Sequence, residues 1–161
     1  MNKKKLIFIS INFIIIILFL NYSVLKKEKI LSNGKIILLK LIPKDPRSLM
    51  QGDYMALNYQ ITNSIEQDKI SKKGYIIVKL DSNNIASKIR VQEEPMPLNK
   101  EEYLIKYNIK YNSVVIASNS FFFQEGKSKS YSKAKYGALK VSENGTALLY
   151  ALYDENIKKI E

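Results

Sequence analysis

Apolar and polar residues follow two different patterns along this chain, and the first has no polar face at all. Leu6 to Leu25 is a twenty-residue run without a charge, dense in Ile, Leu and Phe, with Ser10, Asn12, Asn21 and Ser23 its only strongly polar members. At about 1.5 Å of rise per residue, a helix of this length spans the roughly 30 Å hydrocarbon core of a bilayer. Tyr22 falls where an interfacial aromatic sits, and Ser32-Asn33-Gly34 reads as the end of the helix.

Beyond that point the period becomes two, the signature of half-buried strands. Lys35 to Ile42 is a β-rich run ended by Pro43, and in Tyr54 to Ile61 the residues Met55, Leu57, Tyr59 and Ile61 share one face. Gly74 to Leu80 and Ile85 to Val91 flank Asp81-Ser82-Asn83-Asn84 and read as a hairpin. Tyr103 to Tyr111 alternates, and Ser113 to Phe123 reads as one further strand. Gly137 to Val141 and Thr146 to Tyr153 flank an Asn144-Gly145 turn, a second hairpin signal. Thr62 to Lys73 reads as a polar surface loop or short helix, Glu93 to Leu98 as an extended loop held by two prolines, and Gly126 to Lys135 as a short polar helix or lid. The expectation is a mostly β region of about eight strands in a single antiparallel sheet, curled or barrel-like, with one short helix. One N-terminal transmembrane helix precedes it, which divides the chain into an anchor with basic flanks at 1–29 and a β domain at 30–161.

Charge changes the picture at the membrane. The chain carries 26 Lys and Arg against 15 Asp and Glu, a net +11. Lys3, Lys4, Lys5, Lys26, Lys27 and Lys29, set against Glu28 alone, carry close to half of that excess and bracket the apolar run. With the α-amino group, the balance places the N-terminus inside and the β domain outside the cytoplasmic membrane, as a single-pass protein. No small-x-small cleavage site follows the run and no Cys is present for lipidation, so the anchor is expected to stay on the chain.

Composition then removes chemistries. The chain has no His and no Cys, which excludes Ser-His-Asp catalysis, thiol nucleophiles, thiolate metal sites and disulfides. No metal ligand set and no cofactor motif is expected. Neither an RNA-binding signature nor a helix-turn-helix pattern is present, so nucleic acid is not an expected partner.

The most specific stretch is Asp45 to Tyr59. Pro46 fixes its own φ and extends Asp45, Gly52 is suited to positive φ, and the carboxylates of Asp45 and Asp53 can accept backbone N–H bonds of their own turns. A turn-rich entry therefore feeds a half-buried strand. Gly52-Asp53-Tyr54-Met55-Ala56-Leu57-Asn58-Tyr59 matches every fixed position of the motif for which the GDYXXLXY proteins are named, and the chain resembles that family. The similarity extends to the lead-in Asp45-Pro46-Arg47-Ser48-Leu49 and to a later block, Phe122-Phe123-Gln124-Glu125-Gly126 with Tyr131, Ala134, Tyr136 and Gly137. What the resemblance implies is a small, membrane-anchored bacterial protein, without a reaction attached. Asp45, Pro46, Arg47, Gly52, Asp53, Tyr54, Leu57, Tyr59, Glu125, Gly126 and Tyr136 are its motif residues here, Leu57 and Tyr59 expected in the core and Tyr54 on the opposite face, free to meet a partner.

An anchor followed by a strand and Leu-x-x-Gly-Asp-Tyr is also similar to the catalytic region of bacterial signal peptidases, which use a Ser/Lys dyad. Here Lys44 stands where the nucleophilic Ser would, and Ser48 lies at a different offset. A lysine base must be desolvated to be neutral, and Lys79, flanked by Val78 and Leu80, is the one lysine placed for burial. The reading adopted is therefore a non-enzymatic, extracytoplasmic accessory or binding domain with no catalytic residue assigned, and a Ser/Lys hydrolase is the alternative. Lys127, Lys129, Lys133 and Lys135, interleaved with hydroxyls, are the candidate anion-binding group. The expected partners are the lipid bilayer, another integral membrane protein, and anionic lipid or wall polymer.

Overall fold

The computed structural model describes residues 3–42, 54–66 and 70–161. Helix α1 runs over Lys3–Asn33, 31 residues, and is long and apolar enough to cross a membrane. Its large apolar side chains from Ile7 to Leu25 are exposed all round. Asn12 and Asn21 each donate a side-chain amide N–H to a carbonyl one turn back, Phe8 at 3.1 Å and Ile17 at 2.9 Å, so both interrupt the apolar surface while keeping a partner. The helix ends at a contact with the β region: Ile30 is buried, and the Gly34 N–H donates to its carbonyl at 2.8 Å.

The mostly β, antiparallel class expected is the one observed, with the strands grouped in three sheets among the described residues. The first sheet joins β1 (Lys35–Lys40), β8 (Tyr136–Val141) and β9 (Ala147–Tyr153) in the order β1-β8-β9. The second pairs β2 (Tyr54–Ala56) with β7 (Ser120–Phe122). The third has the order β4-β3-β5-β6, from β3 (Lys73–Leu80), β4 (Ala86–Gln92), β5 (Glu102–Lys110) and β6 (Ser113–Val115). Two single-turn helices complete it, α2 (Gln60–Asn63) and α3 (Ser128–Tyr131).

One apolar core is shared by all three sheets. Ile37 and Leu39 of β1, Met55 of β2, Ile76 and Val78 of β3, and Ile105 and Tyr107 of β5 all belong to it. β1 is buried on its other face too, where Leu38 packs with Ala138 and Ala151. That explains the unbroken apolar run Ile36 to Leu39, which a one-sided strand would not need. The hairpin tips tie the two larger sheets together reciprocally. Between β3 and β4, Asn84 accepts from the Leu38 N–H of β1 at 2.9 Å, and between β8 and β9, Gly145 accepts from the Lys106 N–H of β5 at 2.8 Å.

Three turns share one construction. Asp81, Ser142 and Asp154 each bond back to the residue four on, Ile85, Thr146 and Lys158, while the residue before that partner sits left-handed. The left-handed positions are Asn84 at φ 61°, Gly145 at φ 82° and Ile157 at φ 60°. This is the three-residue hairpin loop closed by a left-handed residue. Asp81 and Asp154 strengthen it identically, each carboxylate accepting two backbone N–H groups at 2.8–2.9 Å. Ile157 is unusual at such a φ, and it is held there by packing against the Leu38, Ala138 and Ala151 cluster.

Several expectations need correction. Tyr54 to Ile61 is not one strand: β2 ends at Ala56, Tyr59 makes an isolated bridge to Leu41, and the chain turns into α2 at Gln60. Thr62, the first residue of the stretch read as a polar surface loop or short helix, lies in α2 and is buried, its hydroxyl satisfied by donating to the Tyr59 carbonyl at 2.8 Å. Ser113 to Phe123 is two strands in two sheets, parted where Ala117 adopts φ 41°. Tyr111, the last residue of the alternating stretch, is not in the strand but fully exposed, because Tyr111 and Asn112 at φ 47° and 53° form the two-residue turn joining β5 to β6. Lys79 is not desolvated: its side chain is 57% exposed and pairs with Glu101 at 3.2 Å.

Candidate functional site

The motif segment acts as a strap between sheets. Tyr54, Met55 and Ala56 pair with Phe122, Phe121 and Ser120, and the Leu57 N–H continues the ladder by donating to the Asn119 carbonyl at 2.8 Å. Two residues later the chain has crossed to β1: the Ile42 N–H donates to the Asn58 carbonyl at 2.8 Å, and Tyr59 bridges Leu41. Alternation puts Met55, Leu57 and Tyr59 inward, all buried, and leaves Tyr54, Ala56 and Asn58 half-buried.

Tyr59 is the anchor of the strap. Its ring lies so close to Gly137 that a Cβ there would stand 2.9 Å from a ring carbon, and its hydroxyl donates to the Ser118 carbonyl at 2.9 Å. Burial pushes the phenol well above its ordinary pKa, so it is a neutral donor at any physiological pH. The later motif block meets the earlier one here. Tyr131 and Ala134 are buried in the same core, and Tyr131 lies against Phe121 at 5.3 Å and stacks on Phe123 at 4.7 Å between ring centres. The Leu41 N–H donates to the Lys135 carbonyl at 2.8 Å, which brings the end of the later block onto the same seam.

The outer face of this seam is aromatic and apolar. Tyr54 leans on Phe122, with ring centres 5.7 Å apart, and Phe122 is 67% exposed. Phe121 and Phe122, together with Leu148 and Leu149 of β9 and Lys27 and Leu31 of α1, line a cleft of about 600 Å³. No sequence signal pointed to this cleft, because its walls come from three separate parts of the chain.

The other predicted site residues are dispersed. Asp45, Pro46, Arg47, Gly52 and Asp53, with Lys44 and Ser48, lie outside the described residues. Glu125 and Gly126 occupy an exposed turn before α3, Gly126 at φ 85°, and Tyr136 is half-buried in β8. Lys127, Lys129, Lys133 and Lys135 are all exposed around α3. Among the described residues no group of three or more acidic side chains is placed to hold a metal ion, and no lysine is buried.

The strongest electrostatic feature lies elsewhere. Arg90 of β4 grips Glu102 of β5 with two parallel bonds of 2.7 and 2.9 Å, and also donates to the Pro97 carbonyl at 3.0 Å. Glu102 in turn accepts from the Asn99 backbone N–H at 2.9 Å and its side chain at 3.1 Å. Hydrogen bonding from Arg90 first, then from Asn99, pulls the Glu102 carboxyl down to about 2. These contacts fasten the Glu93–Leu98 loop.

A family model described as GDYXXLXY protein matches residues 16–152. No curated protein and no solved structure matches the chain.

Proposed function

The chain belongs to the GDYXXLXY protein family, and from that premise we propose that it is a single-pass protein of the cytoplasmic membrane. Its β region faces outward and serves as a non-enzymatic accessory or binding subunit of another integral membrane protein. The observation that carries this reading is the division of labour within the motif. Leu57 and Tyr59 are consumed by the core, Tyr59 with its one hydroxyl already committed to Ser118, while Tyr54 and Phe122 present an aromatic face. The apolar run of α1, flanked by lysines on both sides, supports the anchor, and the α-amino group with Lys3 to Lys5 supports an N-terminus inside.

Protease added to intact spheroplasts tests the topology. It should digest the β region and leave a protected anchor fragment, and a β region cleaved only after lysis would reverse the orientation. Purification of the intact chain from membranes in mild detergent tests the subunit role, with a stoichiometric integral membrane partner as the expected result. Ser48→Ala separates this reading from the Ser/Lys hydrolase, because the binding role predicts an unchanged cellular phenotype and a nucleophile predicts its loss.

A further inference from the structure

The cleft between α1 and the strands stands at a defined depth. Leu25 closes the apolar run, and Lys27 and Leu31 follow it by two and six residues, about 3 and 9 Å along the helix axis. A bilayer of roughly 30 Å hydrocarbon thickness adds about 5–7 Å of headgroup region on each side. The Lys27 end of the cleft therefore lies within the headgroup layer of the membrane that α1 crosses, and the Leu31 end lies at its outer edge. Its opposite wall is Phe121, Phe122, Leu148 and Leu149, and Phe122 is 67% exposed. A cation on the helix side, and an aromatic and apolar wall with Ser118 and Ser120 on the strand side, match the phosphate and the glycerol and ester region of one molecule type.

The geometry points to a phospholipid site: an anionic phospholipid of the host bilayer seats its phosphate at Lys27 and its glycerol and ester region against Phe122 and Leu148, its acyl chains leaving toward the hydrocarbon core. This rests on the anchor reading given above. Lys26 and Lys29 flank Lys27 on the same turn and raise the local positive potential, with Glu28 the one opposing charge. Lysine suits the position because its stem lies along apolar surface while its ammonium reaches the phosphate. Occupancy of the cleft by lipid also covers Phe122, which in water would remain an exposed aromatic beside Tyr54.

The chain has no tryptophan, so a single introduced one reports its own depth. Full-length Phe122→Trp and Phe13→Trp, each reconstituted into vesicles of phosphatidylglycerol and phosphatidylcholine, would be quenched by lipids brominated near the headgroup or near the chain ends. The expected result is that Phe122→Trp is quenched chiefly by the shallow bromines and Phe13→Trp by the deep ones. Adding Lys27→Gln, or replacing phosphatidylglycerol by phosphatidylcholine, should lower the shallow quenching of Phe122→Trp at least about twofold. Leu148→Trp on the facing strand should behave as Phe122→Trp does, which guards against a local disturbance at Phe122. Phe13→Trp quenched while Phe122→Trp and Leu148→Trp ignore bromine at either depth would overturn the lipid site and leave the anchor standing. Phe13→Trp indifferent to bromine would overturn the anchor, and the site with it. Shallow quenching insensitive to both Lys27→Gln and lipid charge would overturn the assignment of Lys27 to the phosphate.

Discussion

At the scale of single residues, Tyr59 shows how a motif position can be strict without being reactive. Its ring fills the space that Gly137 leaves, and its hydroxyl satisfies a carbonyl that the 116–119 segment exposes to the core. Removing the hydroxyl in Tyr59→Phe should cost about 1–2 kcal/mol, and Leu57→Ala, which opens a cavity beside it, about 2–5 kcal/mol. Tyr54→Ala, on the half-buried face, should change stability by less than either, and urea unfolding of the three variants in detergent measures the order. Tyr111 offers the opposite case, a wholly exposed side chain at φ 47° with no packing to hold it there. Tyr111→Gly should therefore stabilise the protein by about 0.5–1 kcal/mol, read as a raised urea midpoint. Ile157→Gly should show no such gain, since relief of the backbone strain is offset by removal of a side chain that packs on Leu38 and Ala151.

At the scale of elements, the Arg90–Glu102 pair fastens the β4–β5 connection, and its contribution has a definite pH window. The folded carboxyl titrates near 2 and the unfolded one near 4.5, so the unfolded state binds the proton first as pH falls. The stabilisation is complete above pH ~5, declines between about 4.5 and 2, and is gone below. Comparison of the parent with Glu102→Gln by urea midpoint should show a constant difference at neutral pH that closes on acidification. Which elements were legible follows from where their determinants lie. The apolar run, the Asp81 turn and the Asn144-Gly145 turn are specified by residues within each element, and all three were readable from local pattern. The split between β6 and β7 was not, because Val114 to Phe123 has neither Gly nor Pro and the break at Ala117 answers to two different sheets. The Asp154 turn was hidden for a related reason, since Ile157 is the last residue that local preference would place at a left-handed position. Within the site, the inward face of Met55, Leu57 and Tyr59 was legible from alternation. The partners Ser118 and Gly137, and the cleft beside α1, depend on packing between distant segments and left no local signal.

At the scale of the whole molecule, the strand that follows α1 depends on the strand before the last, β8. β1 pairs along its whole length with β8, Lys35 opposite Val141 and Lys40 opposite Tyr136, and β8 is the centre of its sheet. A chain stopped after Lys135 would lose β8 and β9 and leave Ile37, Leu38 and Leu39 without the surfaces that bury them. Such a truncation should be degraded in cells and, when purified, should lack the cooperative unfolding transition of the full chain. The pairing also imposes an order in time. β1 leaves the ribosome first among the described strands, directly behind the apolar helix α1, yet its partner is made roughly a hundred residues later. Until β8 emerges β1 therefore lacks the strand it pairs with, and the growing chain stays in a threadable state. On the topology proposed above, the β region passes through a narrow translocation channel, and late closure by β8 then means that folding on the near side cannot overtake transport.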